Sequence, residues 1–181
     1  MRIIAGSARS RVIEAPKGRD TRPTLDRVRE NLFNILQGRV MDARVLDLFA
    51  GSGALSLEAV SRGAALAVMA DRDQAAIAAE KQNVRALGFE AHTRVIHAPW
   101  QQTVHLLTQE GASFDLVFLD PPYAMEGLAQ VMESLVPLLT EDALVVVEHE
   151  ARTAPEACDA FEKTDERKWG YVGVSFFRLK E

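Results

Sequence analysis

The sequence predicts an α/β domain built on a mostly parallel β-sheet with helices packed on both faces. Three observations predict it. From residue 44 onward, short apolar strands alternate with segments of helical periodicity. The stretch Phe114-Asp115-Leu116-Val117-Phe118-Leu119 is almost continuously apolar, as a strand covered on both faces must be. Gly51-Ser52-Gly53 lies where the first of these strands turns into the first helix of the alternating series.

The elements follow in order. Residues 2–5 and 11–15 contain β-branched side chains on either side of a Gly6-Ser7 loop and predict a small hairpin. Pro16, Gly18 and Pro23 then punctuate an irregular stretch. Thr24 is the expected N-cap of a helix in which Leu25, Val28, Leu32, Ile35 and Leu36 recur at helical spacing, with Gly38 as its stop. Strands are expected over residues 44–48, 66–70, 93–97, 114–119 and 143–148. Helices are expected over 53–62, 73–87, 100–109 and 128–139, the first two ended by Gly63 and Gly88. The tail predicts a short helix or strand over 155–163 and a final strand over 171–179. Two units result: a basic N-terminal extension over residues 1–23 and a Rossmann-like body over 24–181. Open parallel sheets of this kind bind ligands at the carboxyl ends of their strands, where the strand order reverses.

Composition narrows the function classes. No apolar run approaches the roughly 18 residues of a membrane span, and the N-terminus lacks a secretory pattern. Cys158 is the only cysteine, which excludes an internal disulfide and any multi-cysteine metal site. A reducing cytoplasm is the expected compartment. The net charge of −5 hides an asymmetry: residues 1–29 hold eight basic and three acidic side chains, the remainder 13 and 23. Seven of those eight cations are arginine, whose planar fork suits phosphates and base edges. A basic arm on an acidic body points to a polyanionic partner. Arg2, Arg9, Arg11, Arg19, Arg22 and Arg27 are its candidate contacts.

The segment Asp47-Leu48-Phe49-Ala50-Gly51-Ser52-Gly53 describes a cofactor loop of a particular kind. A dinucleotide fingerprint would place a third glycine where Ser56 stands, and a Walker loop would end in Gly-Lys-Ser/Thr. Asp47 would repel phosphates but could accept hydrogen bonds from a cationic aminoacyl group. Asp71, 24 residues on, closes the second strand and is placed to accept ribose hydroxyls. Asp73 is the expected cap of the following helix.

The fourth strand runs into Asp120-Pro121-Pro122-Tyr123. Two prolines fix the backbone and remove two N–H donors, leaving carbonyls free to accept. Asp120 adds a carboxylate and Tyr123 an aromatic face. The cluster suits a flat ring bearing an amino group, stacked on the phenol and donating to Asp120 and the Pro121 carbonyl. His92, His97, His105 and His149 show no metal-ligand spacing, so no metal is expected. Glu148, His149 and Glu150 are expected at a solvated strand end, and Trp100 and Trp169 as packing residues.

Together these residues resemble the RsmD-type 16S ribosomal RNA guanine-N2 methyltransferases, which modify guanine-966 of the small subunit. The resemblance spans nearly the whole chain. It is carried by Gly6-Ser7-Ala8-Arg9-Ser10-Arg11, by Thr21-Arg22-Pro23-Thr24-Leu25-Asp26-Arg27-Val28-Arg29-Glu30, and by the glycine-loop and Asp120–Tyr123 motifs. It implies a class I methyltransferase fold: a seven-stranded sheet with the last strand antiparallel, plus an N-terminal hairpin that grips RNA. It implies S-adenosylmethionine as cofactor and S-adenosylhomocysteine as product, held by Asp47, Phe49, Ala50, Gly51, Ser52, Gly53, Asp71 and Arg72. Where the family often carries Asp-Ala beside the cofactor's adenine, this chain has His97-Ala98, and the His97 imidazole or the Ala98 backbone is the expected adenine contact. The implied substrate is 16S ribosomal RNA within the small subunit, with no membrane and no obligate protein partner. The same tetrapeptide also serves adenine-N6 methyltransferases acting on DNA or RNA. A non-catalytic RNA-binding factor and a small-molecule methyltransferase are the remaining alternatives.

Overall fold

The computed structural model describes residues 1–18 and 23–181, with side chains from residue 26 onward in the second span. Strands β1 (Arg44–Asp47), β2 (Leu66–Asp71), β3 (Thr93–His97), β4 (Phe114–Leu119), β5 (Leu139–Glu150), β6 (Phe161–Trp169) and β7 (Val172–Leu179) form one sheet. Its order is β3-β2-β1-β4-β5-β7-β6. The first five strands are parallel, and β7 runs antiparallel to both of its neighbours. The seven strands and the antiparallel last strand agree with expectation. The order reverses between β1 and β4, which opens a crevice at their carboxyl ends.

Helices α1 (Pro23–Ile35), α2 (Ala54–Ser61) and α3 (Gln74–Leu87) cover one face; α4 (Trp100–Gln109) and α5 (Leu128–Leu135) cover the other. The period-2 alternation of the strands feeds the two cores separately. Val45, Met69, Phe118 and Val146 pack with Val28, Leu32 and Phe33 of α1. Leu46, Val68, Val117 and Val145 pack with Val104 and Leu107 of α4 and Val131 and Leu135 of α5. Each such side chain, fully buried, stabilises the fold by about 1.5–3 kcal/mol. The rings of Phe33 and Phe118 meet at 5.9 Å between centroids and lock α1 to the centre of the sheet.

Several expectations shift. The N-terminal hairpin contracts to one antiparallel bridge, Arg2↔Val12, reversed through Ser10 at φ 69°. Its backbone instead finds partners on the body. Ile3, Ala8 and Ile13 are buried in the α1-side core. The N–H groups of Ile4 and Ala5 donate to the Glu58 carboxylate, and that of Ala8 to Ser61 Oγ. Gly6 makes this approach possible: at φ +85°, an added Cβ would stand 1.9 Å from the Ser61 carbonyl oxygen. Helix α1 begins at Pro23, so Thr24 lies within the helix and is not its cap. The helix expected over 128–139 stops at Leu135. Val136–Leu138 form a 3-10 turn around Pro137, and β5 starts at once and is longer than expected. The expected element over 155–163 is replaced by β6, which starts only at Phe161.

Candidate active site

Pairing registers place three carboxylates around the crevice. Asp47 ends β1 level with Phe118 of β4, which is itself level with Val146 of β5. The last β4–β5 pair is Leu119↔Val147, so Asp120 leaves β4 level with Glu148, which stays in β5 paired to Val174 of β7. Adjacent strands lie about 4.8 Å apart. Asp47, Asp120 and Glu148 all line a cavity of about 210 Å³, roofed by Met1, Arg29 and Leu32 from the N-terminal segment and α1.

Asp47 and Glu148 respond to burial first and to their neighbours second. Burial, with Asp120 and Asp71 nearby, pushes the Asp47 carboxyl up to about 7, against the opposing hydrogen bond donated by Ser56 Oγ at 2.9 Å. Asp47 Oδ1 is buried without a partner among the described residues. Glu148 is pushed up to about 8 by burial first and by Asp120 and Asp47 second. His149 beside it is buried: its ring bridges Ser175 Oγ at 2.8 Å and the Glu150 carbonyl at 2.7 Å. This end of β5 is therefore not the solvated terminus expected.

The glycine loop is built around these acids. Gly53 caps α2 at φ +81°, and an added Cβ would stand 2.8 Å from Met69 Sδ. Phe49, Ala50, Gly51 and Ser52 line the small cavity, whereas Gly53 shapes the turn from behind. Asp71 bridges the loop to the next one. Its Oδ2 accepts the Gly51 N–H at 3.0 Å and its Oδ1 the Asp73 N–H at 2.9 Å. Asp73 in turn caps α3 through the Ala75 N–H, as expected.

A groove of about 1140 Å³ adjoins this cavity and shares Phe49 and Asp120 with it. It runs from Asp71, Arg72 and Asp73 past Pro99, Trp100 and Gln101 to Pro121, Pro122 and Tyr123. Tyr123 is 55% exposed and faces this groove. His97 and Ala98 do not line it. The His97 ring is exposed, with Nε2 3.1 Å from the Arg72 carbonyl, and the Ala98 N–H donates to the Asp71 carbonyl. Trp100, expected as packing, lines the groove as well as abutting the α4-side core.

Of the candidate cationic contacts, Arg2, Arg9, Arg11 and Arg27 are exposed, and Arg19 and Arg22 lie outside the described residues. Arg2 donates to the Ser10 carbonyl at 2.8 Å and Arg11 to the Ala86 carbonyl. Arg29 is buried, pairing with Asp26 at 3.2 Å and donating to the Arg2 carbonyl, so it braces α1 against the N-terminus. Among the described residues no cluster of His, Cys, Asp or Glu is arranged to hold a metal. No helix there is long and apolar enough to cross a membrane.

The donor set suits the chemical groups of S-adenosylmethionine. A buried carboxylate with an orphaned oxygen faces the cavity beside a glycine turn, and a second acid follows at the end of the next strand. A sheet of this order with these carboxyl-end loops is a Rossmann-like methyltransferase fold. The chain matches the Conserved hypothetical protein 95 family over residues 1–178. It is 40% identical to ribosomal RNA small subunit methyltransferase D of Escherichia coli K12 over 83% of this chain and 75% of that one. It is 35% identical to YlbH of Bacillus subtilis, named as a candidate rRNA methyltransferase, over 99% of this chain and all of that one. Among solved structures, yhhF of E. coli, described as a candidate methyltransferase, superposes with a TM-score of 0.85 at 36% identity, covering 99% and 98% of the two chains. The chain belongs to the Conserved hypothetical protein 95 family, that of the RsmD-type methyltransferases.

Proposed function

We propose that this protein methylates the exocyclic N2 amine of a guanine in 16S ribosomal RNA of the small subunit, guanine-966, using S-adenosylmethionine. The observation that carries the reading is the position of Asp120, which stands in both the small cavity and the larger groove, where the two meet. The kinship with methyltransferase D and YlbH supports ribosomal RNA as the substrate.

When bound, S-adenosylmethionine supplies a methyl group activated by a sulfonium. The chain's residues do the rest by positioning. Asp47, with its orphaned oxygen, receives the cofactor's ammonium, and the Phe49–Gly53 loop gives its backbone close access. Asp71 keeps outward lone pairs for ribose hydroxyls while its inward ones tie the two loops together. Arg72 flanks it, and His97 and Ala98 stand behind the adenosine end.

An aromatic amine is a poor nucleophile because its lone pair is delocalised into the ring. Asp120 and the Pro121 carbonyl accept its two N–H groups and hold them out of the ring plane, which returns density to nitrogen. Pro122 fixes the turn, and Tyr123 stacks on the extruded base. Asp120 also takes the proton that the methylated amine sheds. Exposed Arg2, Arg9, Arg11 and Arg27, with Arg19 and Arg22, hold the RNA backbone. The deciding experiment offers labelled S-adenosylmethionine with small subunits, naked ribosomal RNA and duplex DNA, then maps the labelled base. Label on guanine N2 of the subunit is expected; label on adenine N6 overturns the reading.

A further inference from the structure

We infer that Glu148 is a specificity-determining residue that reads the N1–H/O6 edge of the target guanine beside Asp120. The inference rests on the guanine reading above and adds a residue to it. Its foundation is the sheet register: Leu119↔Val147 is the last β4–β5 pair, so Asp120, just past the end of β4, stands level with Glu148 of β5, and both line one cavity. The order along the carboxyl edge is β2, β1, β4, β5. Asp71 and the glycine loop occupy the β2 and β1 positions, where the cofactor belongs. Glu148 lies on the far side of Asp120 from β1 and β2, in the cavity it shares with Asp120, Asp47 and the glycine loop.

Guanine presents three groups in a row along one edge: the N2 amine, N1–H and O6. With the amine on Asp120, N1–H and O6 fall against the next acid along the edge. A protonated carboxyl is complementary to that pair, its carbonyl accepting N1–H and its hydroxyl donating to O6. Burial together with the Asp120 and Asp47 charges holds Glu148 protonated near neutral pH. Two ionised carboxylates on adjacent strands at the same level would repel each other, so the division of labour between them follows from their position. A buried site built to hydrogen-bond a particular edge rejects bases that leave its groups unpaired.

The test compares Glu148→Ala, Glu148→Leu and Glu148→Gln on small subunits under single-turnover conditions, with S-adenosylhomocysteine affinity measured by calorimetry. The amide of Gln copies the donor and acceptor of the protonated acid. Alanine and leucine variants are expected to lose about 10- to 100-fold in methylation rate. Gln is expected to restore most of it, with S-adenosylhomocysteine affinity the same in all three. A second arm uses subunits reconstituted with 2-aminopurine at the target, which keeps the N2 amine but lacks N1–H and O6. There wild type is expected to be slow, and Glu148→Ala no slower. Equal losses on both bases, a Gln variant no better than Ala, or cofactor affinity falling with the rate would each overturn the assignment. Label that never appears on guanine in wild type would instead sink the functional reading on which it stands, and this one with it.

Discussion

Both carboxylate oxygens of Glu58 accept the backbone N–H of Ile4, at 3.1 and 3.0 Å, across 54 residues of sequence. Glu58 is fully buried, and its Oε1 also meets the Arg62 guanidinium at 3.0 Å, so the charge is paired on two sides. This contact docks the N-terminal segment whose Met1 roofs the small cavity. Glu58→Ala is expected to destabilise the protein by about 3–5 kcal/mol, because Arg62 and two amides lose their acceptor together. Urea unfolding measures the loss, and hydrogen exchange at Ile4 and Ala5 should rise with it.

Asp120→Ala is expected to abolish turnover while sparing affinity for S-adenosylhomocysteine. Asp120 follows the end of β4, where the small cavity and the larger groove meet. A methylation assay paired with calorimetry checks both halves, and an active variant removes Asp120 from the chemistry.

Asp71→Ala acts on the other ligand. It strips the Gly51 and Asp73 N–H groups of their acceptor and, on the proposed reading, the ribose of its partner. Cofactor affinity should fall by about 1–3 kcal/mol, roughly 5- to 150-fold. Unchanged affinity would take Asp71 out of the site.

Glu80 on α3 is fully buried, has no hydrogen-bond partner among the described residues, and is pushed up to about 9 by burial and by Asp47 and Asp71. Asp47 and Glu148 are raised too. A carboxyl whose folded-state pKa exceeds its unfolded value binds more protons folded than unfolded. Its stabilisation is therefore complete below about pH 4.5 and lost progressively up to about 9. Apo-protein stability is expected to fall between pH 5.5 and 8.5. Glu80→Gln should flatten that slope, gaining about 1–3 kcal/mol over wild type at pH 8.5. Denaturant midpoints at the two pH values decide it.

The arginine arm is tested through salt. Arg9→Ala with Arg27→Ala changes two exposed cations and leaves Arg11 holding the Ala86 carbonyl. The slope of log affinity for ribosomal RNA against log salt should shrink by about 1.5–2, a little under one unit per phosphate contact. An unaltered slope would place the RNA contact elsewhere.

Most of the α/β body was legible because its signals are local. A strand–glycine–helix turn and a strand ending in Asp-Pro-Pro-Tyr occupy contiguous residues, and near-continuous apolar runs announce strands covered on two sides. β6 was not legible. Glu162, Lys163, Asp165, Glu166, Arg167 and Lys168 mark it as charged, and an edge strand paired only to β7 can afford that polarity. Arg29 and Glu148 were passed over as site residues for a different reason. One reaches the cavity from α1 and the other from β5, and only the closed sheet brings them to Asp47. Trp100 carried no period that could separate a groove wall from packing.

Placing β7 between β5 and β6 has a consequence for biogenesis. A nascent polypeptide folding from its N-terminus can complete five parallel strands, yet the flank of β5 nearest Glu148 stays raw until residues 172–179 arrive. Through that interval the exposed ladder is an adhesive seam, open to a strand from any neighbouring molecule. Truncation before residue 172 would therefore yield a sticky, unfinished template, and not a shorter working enzyme.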